Sequence, residues 1–258
     1  VAQSSALNRP CPERTSGGRT LLRKVVKGWN ATWCWFRYLI VGARNGVPGL
    51  VDFVVGNYFF AANQQRDELT ALGEILAARR PERALEIGTW RGGTLLLLMR
   101  LASPQATIIG VDLPEGRFGG YGRSRTWLYK RFARPRQRLL LLQGDSHSRD
   151  VSDKVKAALR GQELDYLFID GDHSYPGVKC DFEIYGPMVG KGGLIAFHDI
   201  VEGPTENVGG VPQVWREIRS KYRHIEIIKD RQQGGYGIGV LYIDGQSPAE
   251  PIDTTVIP

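Results

Sequence analysis

Residues 84–94 read Ala84-Leu85-Glu86-Ile87-Gly88-Thr89-Trp90-Arg91-Gly92-Gly93-Thr94, and the fold turns on this stretch. Pro81 precedes a short apolar run, Ala84 to Ile87, which predicts a buried strand. Gly88 lets the chain turn tightly at the strand's carboxyl end. Gly92 and Gly93 stand where the next helix begins, and let backbone approach a ligand there. A dinucleotide site wants G-x-G-x-x-G, but Trp90 occupies the place of the second glycine. An indole there obstructs a pyrophosphate, so nicotinamide dinucleotide binding is disfavoured.

Working outward, Leu69, Leu72, Ile75 and Leu76 recur at helical spacing, and Asn63 is the expected N-cap of that helix. After the glycine loop the chain alternates. Helices are expected at about 92–102, 124–133, 149–160, 174–188 and 211–222. Strands are expected at Thr107–Val111, Leu139–Leu142, Tyr166–Ile169 and Leu194–Phe197, then at Ile225–Ile228 and Ile238–Ile243. Continuously apolar strands that alternate with helices imply a parallel sheet buried on both faces. The last two strands, joined by the short loop Asp230–Gly235, read as an antiparallel hairpin. The class is therefore α/β, with a mostly parallel seven-stranded sheet and helices on both faces.

Chemistry-bearing residues gather at the strand ends. Asp112 ends the second strand, about twenty residues past the loop, where a carboxylate can accept hydrogen bonds from two ribose hydroxyls. Gly144-Asp145-Ser146 ends the third. Asp170-Gly171-Asp172-His173 ends the fourth, and His198-Asp199 ends the fifth. Adjacent parallel strands lie about 4.8 Å apart, so Asp170, His198 and Asp199 can converge on one divalent ion. A buried Asp–His brace is the other reading of the same residues.

The pattern E-x-G-x-x-x-G from Glu86 resembles the first motif of class I S-adenosylmethionine-dependent methyltransferases, which have a Rossmann-like fold. That resemblance implies a cofactor site of Glu86, Gly88, Thr89, Gly92, Gly93, Thr94, Asp112, Asp145, Ser146 and Asp170. The glycine loop would hold the methionine part, Asp112 the ribose, and Asp145 and Ser146 the adenine. Residues 169–200, IDGDHSYPGVKCDFEIYGPMVGKGGLIAFHDI, resemble the metal-dependent catechol O-methyltransferase-like enzymes, and most closely the bacterial cephalosporin-hydroxylase-like branch of secondary metabolism. The resemblance implies O-methylation of a small molecule's hydroxyl, with Asp170, His198 and Asp199 as ligands to Mg²⁺ or Mn²⁺. It also implies His173 as general base, where catechol-type enzymes carry a lysine. Those enzymes usually have Asp-Asn at the position of His198-Asp199, and residues 1–62 match no segment of them. A metal-independent enzyme with a histidine base, or a nucleic-acid methyltransferase or RNA-binding protein, is the alternative.

Composition sets the remaining bounds. The chain has 258 residues, a net charge of +7 and three widely spaced cysteines, Cys11, Cys34 and Cys180. Those cysteines argue against a disulfide framework or a structural zinc site and fit a cytoplasmic protein. The apolar stretch 31–62 is interrupted by Arg37, Arg44, Pro48 and Asp52, so no membrane span is expected. Residues 1–50 hold eight Lys/Arg and one acid, Glu13; Arg117 to Arg138 holds eight more and none. Such runs are either solvated or drawn to an anionic partner, nucleic acid or lipid. The expected division is an aromatic-rich helical arm at 1–62, a cofactor-binding domain at 63–248 and a tail at 249–258. The arm is expected to have helices broken at Gly42, Gly46 and Pro48, and to form a cap over the acceptor pocket or a homo-oligomer contact.

Overall fold

In the computed structural model the described residues are Cys34, Tyr38, 45–57, 59–114 and 123–244. Expectations for most of the arm, for residues 117–122 of the basic run and for the tail lie outside them. In chain order the elements are α1 (Gly46–Val55), α2 (Arg66–Arg79), β1 (Arg83–Ile87), α3 (Gly93–Leu101), β2 (Thr107–Asp112), α4 (Arg123–Phe132), β3 (Arg138–Gln143) and α5 (Arg149–Leu159). They continue with β4 (Leu164–Ile169), α6 (Tyr175–Tyr185), a 3₁₀ turn (Gly186–Met188), β5 (Val189–His198), α7 (Thr205–Val208), α8 (Val211–Arg219), β6 (Arg223–Ile227) and β7 (Ile238–Tyr242).

The seven strands form one sheet in the order β3-β2-β1-β4-β5-β7-β6. β1 pairs in parallel with β2 and with β4, and only β7 runs against its neighbours, β5 and β6. This is the expected sheet, including the final hairpin. Successive strand residues point to opposite faces, and both faces are apolar. Ala84, Ile108, Phe168 and Ala196 join the core under α1 to α4. Leu85, Ile109, Leu167 and Phe197 join the one under α5, α6 and α8. Trp215 of α8 is 1 % exposed, and its indole donates to Glu226 at 2.8 Å. Gly239 is required beside it, because a Cβ there would fall 2.5 Å from the ring.

Three expectations are corrected. Pro48 does not break a helix; it lies in the first turn of α1, which Gly46 opens. Proline lacks only an N–H that the first turn leaves unpaired, so it is accepted there. Asn63 is not the cap of α2, which begins at Arg66 behind Gln65. β5 is longer than Leu194–Phe197: it runs from Val189, which pairs with Leu164, and a register shift separates that pair from Tyr166–Leu194. The aromatic residues of the arm that are described are core: Phe53 and Phe60 are fully buried, and Phe60 meets Phe132 with centroids 4.8 Å apart. No helix among the described residues is long and apolar enough to cross a membrane.

Candidate active site

The carboxyl ends of β1 to β5 open onto one cavity of about 830 Å³, a size suited to a cofactor and a small acceptor. At its floor the loop after β1 presses on the loop after β4. Gly88 has φ +80°, and a Cβ on it would fall 2.0 Å from the Asp170 carbonyl oxygen, so only glycine fits. Gly88, Thr89, Thr94, Asp112, Asp145, Ser146 and Asp170 line the cavity. Glu86, Gly92 and Gly93 stand behind that wall. Gly92 makes room for the Tyr129 ring, and Gly93 for the backbone of Ala61 and Ala62. Glu86 is fully buried, and Thr94 Oγ1 donates to it at 2.6 Å. Burial, together with the charges of Asp170 and Asp112, holds the Glu86 carboxyl well above its usual range. It therefore braces Thr94 from behind.

On the β2 side, Thr89 Oγ1 donates to Asp112 Oδ2 at 3.0 Å, and burial raises the Asp112 carboxyl. On the β4–β5 side two carboxylates and two imidazoles converge. His198 Nδ1 lies 3.1 Å from Asp170 Oδ1 and 3.4 Å from Asp199 Oδ2. His173 Nε2 lies 3.4 Å from Asp170 Oδ1, and its Nδ1 donates to the Asn207 carbonyl at 2.5 Å. His198 is 4 % exposed and His173 28 %. Asp170, His173 and Asp199 each bring a donor atom within 4.8 Å of the others. The structure thus unites the expected Asp170, His198 and Asp199 and adds His173 to their cluster.

Burial alone would lower the pKa of each ring. The carboxylates of Asp170 and Asp199 outweigh it and raise His173 to about 9 and His198 to about 10. Asp170 falls well below the usual carboxylate range: burial opposes this, but the two imidazoles prevail. A histidine whose folded pKa is raised stabilises the fold fully below its unfolded value of about 6.5, and that contribution vanishes as pH passes the folded value. The melting temperature of chelator-treated protein should therefore fall between pH 7 and 10.5, and His198→Gln should flatten that slope. An unchanged slope in this variant refutes the assignment.

Further residues complete the site without an obvious sequence signal. Gln64 Nε2 donates to Asp170 Oδ2 at 3.0 Å, and Asn63 and Gln64 line the cavity just ahead of α2. Tyr236 stands edge-on to His198, and its backbone N–H donates to Asp199 Oδ1 at 2.9 Å. Gly234, Gly235, Tyr236 and Gly237 all have positive φ, a bend that the run of glycines permits. Glu68 of α2, fully buried, holds this loop by accepting from Lys229 N, Gln233 Nε2 and Gly237 N at 3.0, 2.7 and 2.9 Å.

Residues 85–200, from β1 to just past β5, match the family model described as a methyltransferase domain. That match covers the strands and helices from β1 to β5, and the sheet order is that of a Rossmann-like methyltransferase fold. An uncharacterized protein of Acanthamoeba polyphaga mimivirus is 29 % identical over 152 residues, 59 % of this chain, and the chain spans 62 % of its length. Among solved structures, the O-methyltransferase TomG of Streptomyces achromogenes aligns with TM-score 0.52 and 16 % identity, over 81 % of this chain and 94 % of its own. An O-methyltransferase of Bacillus cereus aligns with TM-score 0.54 and 14 % identity, over 82 % and 98 %. These two likenesses show the shared fold.

Proposed function

We propose that this chain is an S-adenosylmethionine-dependent O-methyltransferase that methylates a hydroxyl of a small molecule with the help of a divalent cation. One observation carries the reading: the Asp170/His173/His198/Asp199 cluster and the Thr89–Asp112 pair face the same cavity. In this reading Asp112 accepts from the ribose hydroxyls, Asp145 and Ser146 meet the adenine, and Gly88, Thr89 and Thr94 border the methionine part. The cofactor supplies an electrophilic methyl group.

The donor set fits a cation. Asp170 and Asp199 hold two negative charges that two imidazolium protons now balance, and metal binding releases such protons. Asp170 and Asp199 would hold the ion, with His198 as nitrogen donor; the oxygens suit Mg²⁺, and the imidazole moves the preference toward Mn²⁺. A cation there lowers the pKa of an acceptor hydroxyl. Both imidazoles line the cavity, but His198 is 4 % exposed and His173 28 %, so His173 is the one open to an acceptor. His173 is therefore the residue that takes the hydroxyl proton, and it is neutral and able to do so once the charge of Asp170 and Asp199 is balanced elsewhere. Gln64 and Asn207 fix the directions of Asp170 and His173.

The lining also favours a small acceptor over a nucleic acid. Asp112, Asp145, Asp170, Asp172, Asp199 and Glu206 line the cavity, and among the described residues no Lys or Arg does. A polyphosphate strand is repelled by such a wall. A secondary metabolite is the acceptor class that the resemblance implies, and TomG is described as acting in tomaymycin synthesis.

Titration calorimetry with S-adenosylmethionine tests the cofactor reading. Asp112→Ala should weaken binding by about 1.5–3 kcal/mol, as expected for lost hydrogen bonds to a charged group. Equal affinity in the variant would sink the ribose assignment.

A further inference from the structure

Helix α6 begins beside the loop that carries Asp170 and His173 and runs back past the turn that follows β3. Gly177, Asp181 and Tyr185 are spaced four residues apart on it, so they form one stripe along a single face. That stripe meets the turn Gly144–Ser148 at three levels. His147 Nε2 donates to the Gly177 carbonyl at 3.1 Å and lies 3.4 Å from Asp181 Oδ1. The Tyr185 hydroxyl donates to the Ser146 carbonyl at 2.6 Å. On its other side, His147 Nδ1 lies 3.5 Å from Asp145 Oδ1.

Asp181 is fully buried, and no hydrogen bond of normal geometry reaches either of its oxygens. The His147 ring and the Ser146 hydroxyl lie beside it. A buried carboxylate left this way is costly, and an apolar residue would fill the position without that cost. Methyl transfer as described above makes no use of it. What the carboxylate does is attract one ring electrostatically across 3.4 Å, and that ring lines the cavity next to Asp145 and Ser146.

We propose that Asp181 and His147 are a positioning pair that fixes the turn Gly144–Ser148 on the adenine side of the cavity, so that cofactor affinity depends on the charge the two share. The proposal rests on the reading of this cavity as a S-adenosylmethionine site. Burial pushes the Asp181 carboxyl up to about 6, against the Ser146 hydroxyl and the His147 ring, and Asp172 and Asp145 push it further. Cys180 and Tyr185 are the other titratable groups near it, on its own helix. As pH falls through that value, Asp181 takes up a proton and loses its hold on His147. The turn then slackens, and the adenine wall with it.

S-adenosylhomocysteine, which shares the adenosine and lacks the reactive methyl, is the probe. Calorimetry on the intact, metal-free chain should show its Kd rising roughly tenfold from pH 7 to pH 5, the scale of about one pKa unit of coupling between protonation and binding. Asp181→Asn should already be weakened roughly tenfold at pH 7 and vary little with pH, with Asp181→Glu recovering part of the affinity. In turnover the loss should appear in the KM for S-adenosylmethionine and leave kcat largely in place. His147→Gln should behave like Asp181→Asn and stands in for it should that variant not fold. Folded variants with wild-type affinity and pH profile overturn the proposal, as does a lower kcat at unchanged KM. If neither variant folds, a flat wild-type profile between pH 5 and 7 overturns it alone. Wild-type protein that binds no S-adenosylhomocysteine at any pH overturns the cofactor reading itself.

Discussion

Asp199→Asn should lower the methyl-transfer rate by roughly two to three orders of magnitude while leaving S-adenosylmethionine affinity within a few-fold of wild type, as expected when a key electrostatic contribution is lost. The substitution is chosen for its geometry. Asp199 has φ +58°, a conformation that asparagine adopts with the least strain after glycine. Its Oδ1 accepts from the Tyr236 backbone N–H, and an asparagine oxygen can still do so. What disappears is one of the two negative charges that the imidazoles now balance. Single-turnover rates at saturating cofactor, measured over a Mn²⁺ titration, read the effect. A variant that reaches the wild-type rate at low micromolar Mn²⁺ defeats the metal assignment. So does wild-type protein, shown metal-free by elemental analysis, that turns over fully in excess chelator.

His173→Ala is expected to slow methyl transfer by roughly two to four orders of magnitude, the range for a lost general base, with cofactor affinity unchanged. The structure sharpens the test, because His173 stands within the same cluster as the proposed ligands. A base gives a rate that rises with pH and then levels, and its removal flattens that limb. A ligand instead makes metal affinity depend on pH, so its loss is recovered at high metal concentration. Rates from pH 5.5 to 9 at saturating Mn²⁺ should therefore show His173→Ala slow and flat, and His198→Ala largely rescued. Rescue of His173→Ala by metal would make it the third ligand and leave the proton to His198, Asp172 or water.

The sheet was legible because its strands are apolar on both faces: Ala84–Ile87, Thr107–Val111 and Tyr166–Ile169 need no partner information to be recognised. The first half of β5 was not, since Gly190-Lys191-Gly192-Gly193 carries no strand pattern and lies at a register shift against β4. Four-residue α7 is too short to leave a periodic signal. The same division holds in the site. Asp112, Asp145, Asp170, His198 and Asp199 sit at or just beyond strand ends, so the alternation of elements alone locates them. Gln64 reaches Asp170 across 106 residues, and Tyr236 reaches Asp199 across 37. Such contacts follow from the path of loops, which residue type does not encode. Glu86, Gly92 and Gly93 illustrate the opposite limit, because a motif records that small or acidic residues are needed without saying whether a ligand or a neighbouring ring requires them.

Glu68 has a consequence for how the molecule assembles. Its partners at residues 229–237 lie 161 to 169 positions further along the chain. During synthesis, β1, β2 and β3, with their cofactor-side residues, emerge well before those partners exist. The Tyr236 wall closes only after the last hairpin has been made, and until then Glu68 faces solvent or an unfilled seam. The order of emergence from the ribosome is thus the Asp112 side first and the Asp170–Asp199 cluster next, with the lining beyond it last. A nascent chain stalled before residue 229 lacks all three of these donors to Glu68.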